Sequence, residues 1–280
     1  MVTRGSDARI VDLLVKAIGI DPPGSIIEIG AGTGNYAYAL AELGYKITAL
    51  EPSDTMRGQA KPHPRVSWKD GLAEKLPFED SAFDAAIMVM AAHHFSDLTL
   101  ALSEALRVTR FGRLIMFTFD PDLDQNFWLF NYFPTFRTQM RQTFPPLNKI
   151  AEISGCRMTV QRFPLPNDLR DHFAASGWNR PEIYLDPKYR AGISSFFLTN
   201  QQEVASGLLR LSADLADGRW DDQFGRLRDQ AYYDAGYVCL QLTDSEPDSP
   251  PNGSPGGSLK TLTMIKPSTS IHPPLSESRG

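Results

Sequence analysis

Glu28-Ile29-Gly30-Ala31-Gly32-Thr33-Gly34 sets three glycines at alternate positions between an apolar run and an amphipathic one. SIIEI (25–29) has the length and β-branched content of a buried strand. From Thr33 to Leu43 apolar residues recur at helical spacing until Gly44 stops the helix. A glycine turn between strand and helix lets the backbone adopt positive φ and approach a ligand closely, while the helix start offers N–H donors. Dinucleotide sites carry G-x-G-x-x-G at the same place. That spacing needs a glycine at 35, where this chain has Asn35, and a ligand without pyrophosphate has no need of so bare a helix start.

Working outward, KITALE (46–51) reads as a second strand ending on Glu51, 17 residues after Gly34. A carboxylate there can accept hydrogen bonds from two ribose hydroxyls, a feature that nicotinamide enzymes share. VSW (66–68), AFDAAIMVM (82–90) and RLIMFTF (113–119) continue as strands, with a helix over Asp97 to Thr109, so the chain alternates as βαβ units feeding a parallel sheet do. Beyond 120 the aromatic-rich DQNFWLFNYFPTFRTQM, broken by Pro134 and followed by Pro145-Pro146, reads as a helical lid over about 120–165. A helix ending over Phe173 to Gly177, a candidate strand EIYL (182–185), a helix from Gln201 to Asp217 and a late strand YVCLQL (237–242) complete one domain over 1–243. The Pro, Ser and Gly composition of 244–280 cannot offset the entropy of ordering, so a disordered tail is expected there.

The bulk numbers bound the partners. With 280 residues and 42% apolar content, one elaborated α/β domain can bury a sizeable core. A net charge of -5 supplies no basic field to concentrate a polyanion, which argues against nucleic acid. Cys156 and Cys239 lie far apart without metal-ligand spacing, so buried thiols are expected, and neither a metal nor a disulfide. Asp7, Arg9, Asp12 and Lys16 interrupt the N-terminal apolar positions, no run is long enough to span a bilayer, and the reading is a cytoplasmic monomer or homodimer with no membrane partner.

EIGAGTG, then LEPS with Met56, then GLAEKLPFED, then FDAAIMVMAAHHF occur in order. With these four motifs the chain resembles the class I S-adenosylmethionine-dependent methyltransferases of the methyltransferase-11 type. HHFSDLTLALSEALRVTR and the region from RPEIYLDP to DAGYVCLQL are similar to a bacterial branch of that group, extending the resemblance over roughly residues 5–243. The resemblance implies an α/β Rossmann-like seven-stranded sheet in the order 3-2-1-4-5-7-6, its last strand antiparallel, with helices on both faces. S-adenosylmethionine would lie across the carboxyl ends of the first strands. By position in the motifs, Glu28 precedes the turn, and Gly30, Ala31, Gly32, Thr33 and Gly34 would wrap the methionine and ribose portion. Glu51 would hold the ribose, while Pro52, Ser53 and Met56 would line the adenine side. Ala73 would meet adenine through its backbone, with Glu74 beside it. Leu72 departs from the pattern, since many relatives carry an aspartate there for the adenine amine, and Asp70 or Glu74 would have to substitute. Met90 and Ala91 would sit near the methionine end, and Tyr36 would contact cofactor or acceptor.

Methyl transfer from a sulfonium is an in-line displacement on an activated carbon, so the protein mainly aligns the reactants. A phenol or amine acceptor gains from a general base, and a histidine suits that task. His93 and His94 follow the fourth strand on the side where cofactor and acceptor should meet, and His94 matches a histidine common in similar sequences. The plainer reading is that one ring packs or caps the helix that Ser96 or Asp97 begins. Phe127, Trp128, Phe130, Tyr132, Phe133 and Phe136 would be core or a dimer face, or else the apolar wall of an acceptor pocket. Trp178 and Trp220 read as packing residues, and Arg9 either stays solvated or reaches the cofactor carboxylate. The expected activity is transfer to a small-molecule acceptor with release of S-adenosylhomocysteine. The rivals are a cofactor-binding protein without catalysis, a nicotinamide-dependent oxidoreductase, against which Asn35 speaks, and a nucleic-acid methyltransferase. The last would require an Asn-Pro-Pro-Tyr or related tetrapeptide after the fourth strand, which this chain lacks. Oxygen, nitrogen, carbon and sulfur remain open as the methylated atom.

Overall fold

The computed structural model describes residues 5–123, 127–244 and 263–264. Its main sheet contains β1 (Ser25–Ile29), β2 (Lys46–Leu50), β3 (Val66–Lys69), β4 (Ala85–Val89), β5 (Leu114–Phe119), β6 (Arg157–Arg162), β7 (Tyr237–Thr243) and the two-residue β8 (Thr263–Met264). The order across the sheet is β8-β6-β7-β5-β4-β1-β2-β3. β7 runs antiparallel to both β5 and β6, and the other pairings are parallel. Inside β8 this is the expected order 3-2-1-4-5-7-6. β8 pairs with Thr159 and Val160, within a stretch expected to be a disordered tail; the rest of that stretch, beyond 244, lies outside the described residues. Because β1 pairs with β2 on one side and β4 on the other, the crevice for a ligand opens at their carboxyl ends.

The two faces of the sheet bury different partners. Ile26, Ile47, Ile87, Ile115 and Phe117 pack with α1 (Ala8–Ile18), α2 (Asn35–Glu42) and the aromatic cap. Ile27, Met88, Leu114, Met116 and Leu240 pack with Ala101, Leu102 and Ala105 of α3 (Leu98–Arg107). Near-continuous apolar strands are what a sheet covered on both sides requires.

α1 is anchored by charge as well as by packing. The Asp7 carboxylate caps it by accepting from the Arg9 N–H at 3.0 Å, and also accepts from the Arg170 N–H at 3.0 Å. The Arg9 guanidinium pairs with Asp7 at 2.7 Å and with Asp168 at 2.6 Å, so helix and distant loop are tied together. Burial pushes the Asp7 carboxyl up, but the Arg9 and Arg170 hydrogen bonds and the Arg9 charge outweigh it and hold the group below 3.8. A lowered folded-state pKa stabilises above the unfolded value and is lost as pH falls through the folded one. Asp7→Ala is therefore expected to cost about 1–2 kcal/mol near neutrality, with a smaller cost below about pH 4, as measured by denaturant melts across pH.

Between β5 and β7 stand α4 (Pro134–Thr143), α5 (Leu147–Ser154), β6, an irregular stretch, α6 (Gln201–Ala216) and α7 (Arg219–Phe224). Three expectations are corrected here. The span 120–165 is not wholly a lid, because β6 belongs to the sheet: Met158 and Val160 alternate with polar neighbours and point into the core. EIYL is no strand; Pro181, which has no N–H for a ladder, opens a 3-10 turn over Pro181–Leu185 that buries the Tyr184 ring 5.5 Å from Trp128 and 5.5 Å from Tyr189. Residues 173–177 form turns, closed by Ser176 Oγ donating to the Phe173 carbonyl at 2.9 Å, and not a helix end.

The aromatic set resolves as core. Trp128 meets Trp220 edge-on at 5.3 Å and donates its indole N–H to the Trp178 carbonyl at 2.7 Å. Phe133 stacks on Phe136 at 5.0 Å. Cys156 and Cys239 are both buried free thiols. No helix among the described residues is long and apolar enough to cross a membrane.

Candidate active site

The glycine turn wraps the end of β2. Gly30, Gly32 and Gly34 have φ of 73°, 58° and 75°, values that a side chain would strain. The N–H groups of Gly30 and Ala31 both donate to the Leu50 carbonyl, at 2.9 and 3.0 Å. Glu51 then bridges the two loops, accepting from the Gly32 N–H at 2.9 Å through Oε2 and from the Ser53 N–H at 3.0 Å through Oε1. A carboxylate offers about four acceptor sites, so these bonds orient Glu51 and leave capacity for a ligand's hydroxyls. A Cβ at Gly30 would stand 2.7 Å from the Ala91 Cβ, which is why β1 and β4 loops can meet here. At Gly34 a Cβ would stand 2.5 Å from the Trp68 ring. Gly34→Ala is expected to cost about 2–3 kcal/mol in a denaturant melt, from left-handed strain plus the displaced indole.

These loops enclose a cavity of about 520 Å³ lined by Glu28, Gly30, Ala31, Gly32, Thr33, Tyr36, Glu51, Pro52, Met56, Leu72, Ala73, Glu74, Met90, Ala91 and His94 among the expected residues. Three expected residues do not line it. Gly34 faces Trp68 instead, and Ser53 caps the short helix Asp54–Arg57 by accepting from the Met56 N–H at 3.3 Å. His93 lines a neighbouring cavity. Asp70 turns outward to Arg57 at 3.2 Å. Arg9 is held by Asp7 and Asp168 and is not in the wall. The wall also includes Asn35, Leu50, Gly71, Val89, Phe95, Ser96 and Asp171, which were not singled out as site residues. The first six lie within or beside the quoted motifs, whereas nothing local marks Asp171.

The carboxylates in this wall differ sharply. Glu74 Oε1 accepts from the Ser96 N–H at 2.7 Å, the Ser96 hydroxyl at 2.9 Å and the Asp97 N–H at 3.2 Å, tying two loops together. Burial raises it, yet the Asp97 and Ser96 bonds hold it below the usual carboxylate range. Glu28 is buried outright. Desolvation lifts it to about 8 against one hydrogen bond from the Ala37 N–H, and the Glu51 charge adds to the rise. Its Oε2 has no hydrogen-bond partner among the described residues. A raised folded-state pKa gives stability that is present below the unfolded value and lost as pH rises through the folded one. The ligand-free protein is thus expected to lose stability between about pH 4.5 and 8, and Glu28→Gln to flatten that slope in thermal melts across pH.

A second cavity of about 200 Å³ adjoins the first and shares Met90 and His94 with it. Its wall sets Met140, Phe144, Phe173, Ala174, Ile193 and Tyr237 beside His93, with Gly192, Ser194 and Ser195 completing it. Met90 sits at φ 51°, a left-handed conformation rare for a side-chain residue, fixed by its N–H donating to the Phe117 carbonyl at 2.8 Å. The 3-10 turn Ala92–His94 follows, placing the His93 ring 3.9 Å from that of His94 and 4.4 Å from Phe144. Among the described residues no group of three or more His, Cys, Asp or Glu is placed to hold a metal ion.

The larger cavity fits a nucleoside with a cationic amino-acid arm. Glu51 can take vicinal hydroxyls, Met56, Leu72 and Ala73 offer an apolar bed for a base, and Glu28 leaves a buried carboxyl oxygen without a partner among the described residues. A family model described as a methyltransferase domain matches residues 27–117. The crystal structure of a methyltransferase from an antibiotic biosynthesis pathway of Anabaena variabilis is 41% identical, with 86% of this chain and 98% of that one covered at a TM-score of 0.82. This chain belongs to the S-adenosylmethionine-dependent methyltransferases. The methyltransferase is also 26% identical over 192 residues to the ubiquinone/menaquinone biosynthesis C-methyltransferase UbiE of Rhizobium rhizogenes, covering 62% of this chain and 71% of the relative. In fold it matches phosphoethanolamine N-methyltransferase 2 of Haemonchus contortus, crystallised with S-adenosylmethionine, at a TM-score of 0.53 and 16% identity, over 88% of this chain and 54% of that one. The methyltransferase therefore uses S-adenosylmethionine as its cofactor, and the nicotinamide alternative falls.

Proposed function

We propose that the methyltransferase moves a methyl group to a small, single-ring acceptor with a weakly acidic hydroxyl, seated in the 200 Å³ chamber beside the cofactor cavity. The observation that carries this reading is the pair Met90 and His94, which belong to both cavities and so mark where methyl donor and acceptor meet. An apolar cavity of roughly 150 Å³ accommodates benzene, so this chamber suits one substituted ring. UbiE relatives are named for C-methylation in ubiquinone/menaquinone biosynthesis, which is consistent with a ring acceptor.

When bound, S-adenosylmethionine supplies an electrophilic methyl group that needs no further activation. The glycine turn and Glu51 would hold its ribose, while Met56, Leu72 and Ala73 would flank its base. Phe144, Phe173 and Tyr237 hold the acceptor ring and exclude water, which keeps its oxygen or ring carbon desolvated and reactive. His94 accepts the hydroxyl proton as the ring becomes nucleophilic, with the His93 ring packed against it and Phe144 against His93. Ala174→Leu, which fills the chamber without touching the cofactor wall, is expected to raise the acceptor KM or lower turnover about tenfold or more. Cofactor affinity by calorimetry should stay within about twofold, and unchanged turnover would remove the acceptor from this chamber.

A further inference from the structure

Asp171 is a carboxylate with no motif of its own, yet it is 1% exposed and lines the cofactor cavity. The Tyr36 hydroxyl donates to its Oδ2 at 2.7 Å, bridging the second residue of α2 to a segment 135 residues later in the chain. That segment is clamped on its other side, since Asp168 pairs with Arg9 and the Arg170 N–H is held by Asp7. A buried carboxylate fixed from two directions in a cavity wall is a preorganised site for a cation.

The cavity wall carries four carboxyl side chains. Glu51 is oriented by Gly32 and Ser53 at the ribose position, and Glu74 is tied through Oε1 to Ser96 and Asp97. Glu28 is buried in β1, and desolvation raises its carboxyl, which makes it a weaker partner for a cation than an ionised group. Asp171 is the carboxylate in this wall that the Tyr36 hydroxyl orients.

We propose that Asp171, steered by the Tyr36 hydroxyl, receives the α-ammonium group of the cofactor's amino-acid arm. This rests on S-adenosylmethionine occupying the larger cavity with its ribose at Glu51. Asp171 is then a binding residue supplied by the cap rather than by the glycine-turn half of the domain, and Tyr36 a positioning residue.

The test compares S-adenosylhomocysteine, which carries the ammonium group, with 5′-methylthioadenosine, which shares its nucleoside and thioether but lacks the amino-acid arm. Calorimetric titration of the wild type, Asp171→Asn, Tyr36→Phe and Glu51→Ala uses both ligands. Asp171→Asn is expected to weaken S-adenosylhomocysteine about tenfold to a hundredfold and to leave 5′-methylthioadenosine within about twofold, with Tyr36→Phe showing a smaller effect of the same selectivity. Glu51→Ala should weaken both ligands alike. A damaged cavity would lower both affinities of Asp171→Asn in parallel, and that result, or no loss of S-adenosylhomocysteine binding, overturns the proposal. If Glu51→Ala spares both ligands, the placement of the cofactor fails and the assignment of Asp171 fails with it.

Discussion

Replacing Glu51 with alanine is expected to weaken both S-adenosylmethionine and S-adenosylhomocysteine by about a hundredfold, since each hydrogen bond to a charged group contributes roughly 1.5–3 kcal/mol. The carboxylate is held by two backbone N–H donors from separate loops, at 2.9 and 3.0 Å, so its position is fixed before any ligand arrives. The same substitution leaves the Gly32 and Ser53 N–H groups without their acceptor. A second, smaller effect is therefore expected: the ligand-free melting temperature should drop by a few degrees, about 1 kcal/mol of stability. Glu51→Gln, which keeps one acceptor oxygen, should fall between alanine and the wild type on both measures. Calorimetry at saturating protein stability separates the terms, because a purely structural role for Glu51 predicts loss of melting temperature with affinity intact.

His94→Ala is expected to lower kcat by about two to three orders of magnitude while leaving cofactor affinity within about twofold, the range general-base removal commonly produces. His94 is the only imidazole whose residue borders both cavities among the described residues. A proton acceptor must be unprotonated, so wild-type activity should fall on the acid side, and that limb should be absent from the residual activity of the variant. His93→Ala should have a smaller effect, exerted on KM and kcat together, because His93 walls the acceptor chamber and packs against the His94 ring at 3.9 Å. An equal loss in both variants, with no change in pH profile, would reduce the pair to packing.

The nucleotide half of the molecule was legible because its chemistry is local. Glycines at 30, 32 and 34 are demanded by positive φ, and at 30 and 34 also by neighbours that a Cβ would strike, while Glu51 directly follows β2. Continuous apolar runs made β1, β2, β4, β5 and β7 readable, and the resemblance supplied their order. Gly34 and Ser53 were legible as motif positions but not as to task, since what Gly34 avoids is an indole from β3 and what Ser53 caps is a short helix. The cap was less legible for physical reasons. Met158 and Val160 alternate inside a polar, arginine-flanked segment, so β6 has no long apolar run, while EIYL sets three apolar residues in a row that serve an aromatic cluster. Aromatic density around Phe127–Phe136 suggests a pocket as readily as a core, and only the packing of Trp128 on Trp220 and Tyr184 decides it. Asp171 reaches the site through its bond to Tyr36 and through its neighbours Asp168 and Arg170, held by Arg9 and Asp7, which no spacing in the chain announces.

A crystal structure of the complex with S-adenosylhomocysteine tests the account most directly. The expected result has both ribose hydroxyls on Glu51, the adenine against Met56 and Leu72, and the sulfur beside Met90 and His94 facing the smaller chamber. A ligand bound with its sulfur turned away from that chamber, or seated outside the glycine turn, would contradict it.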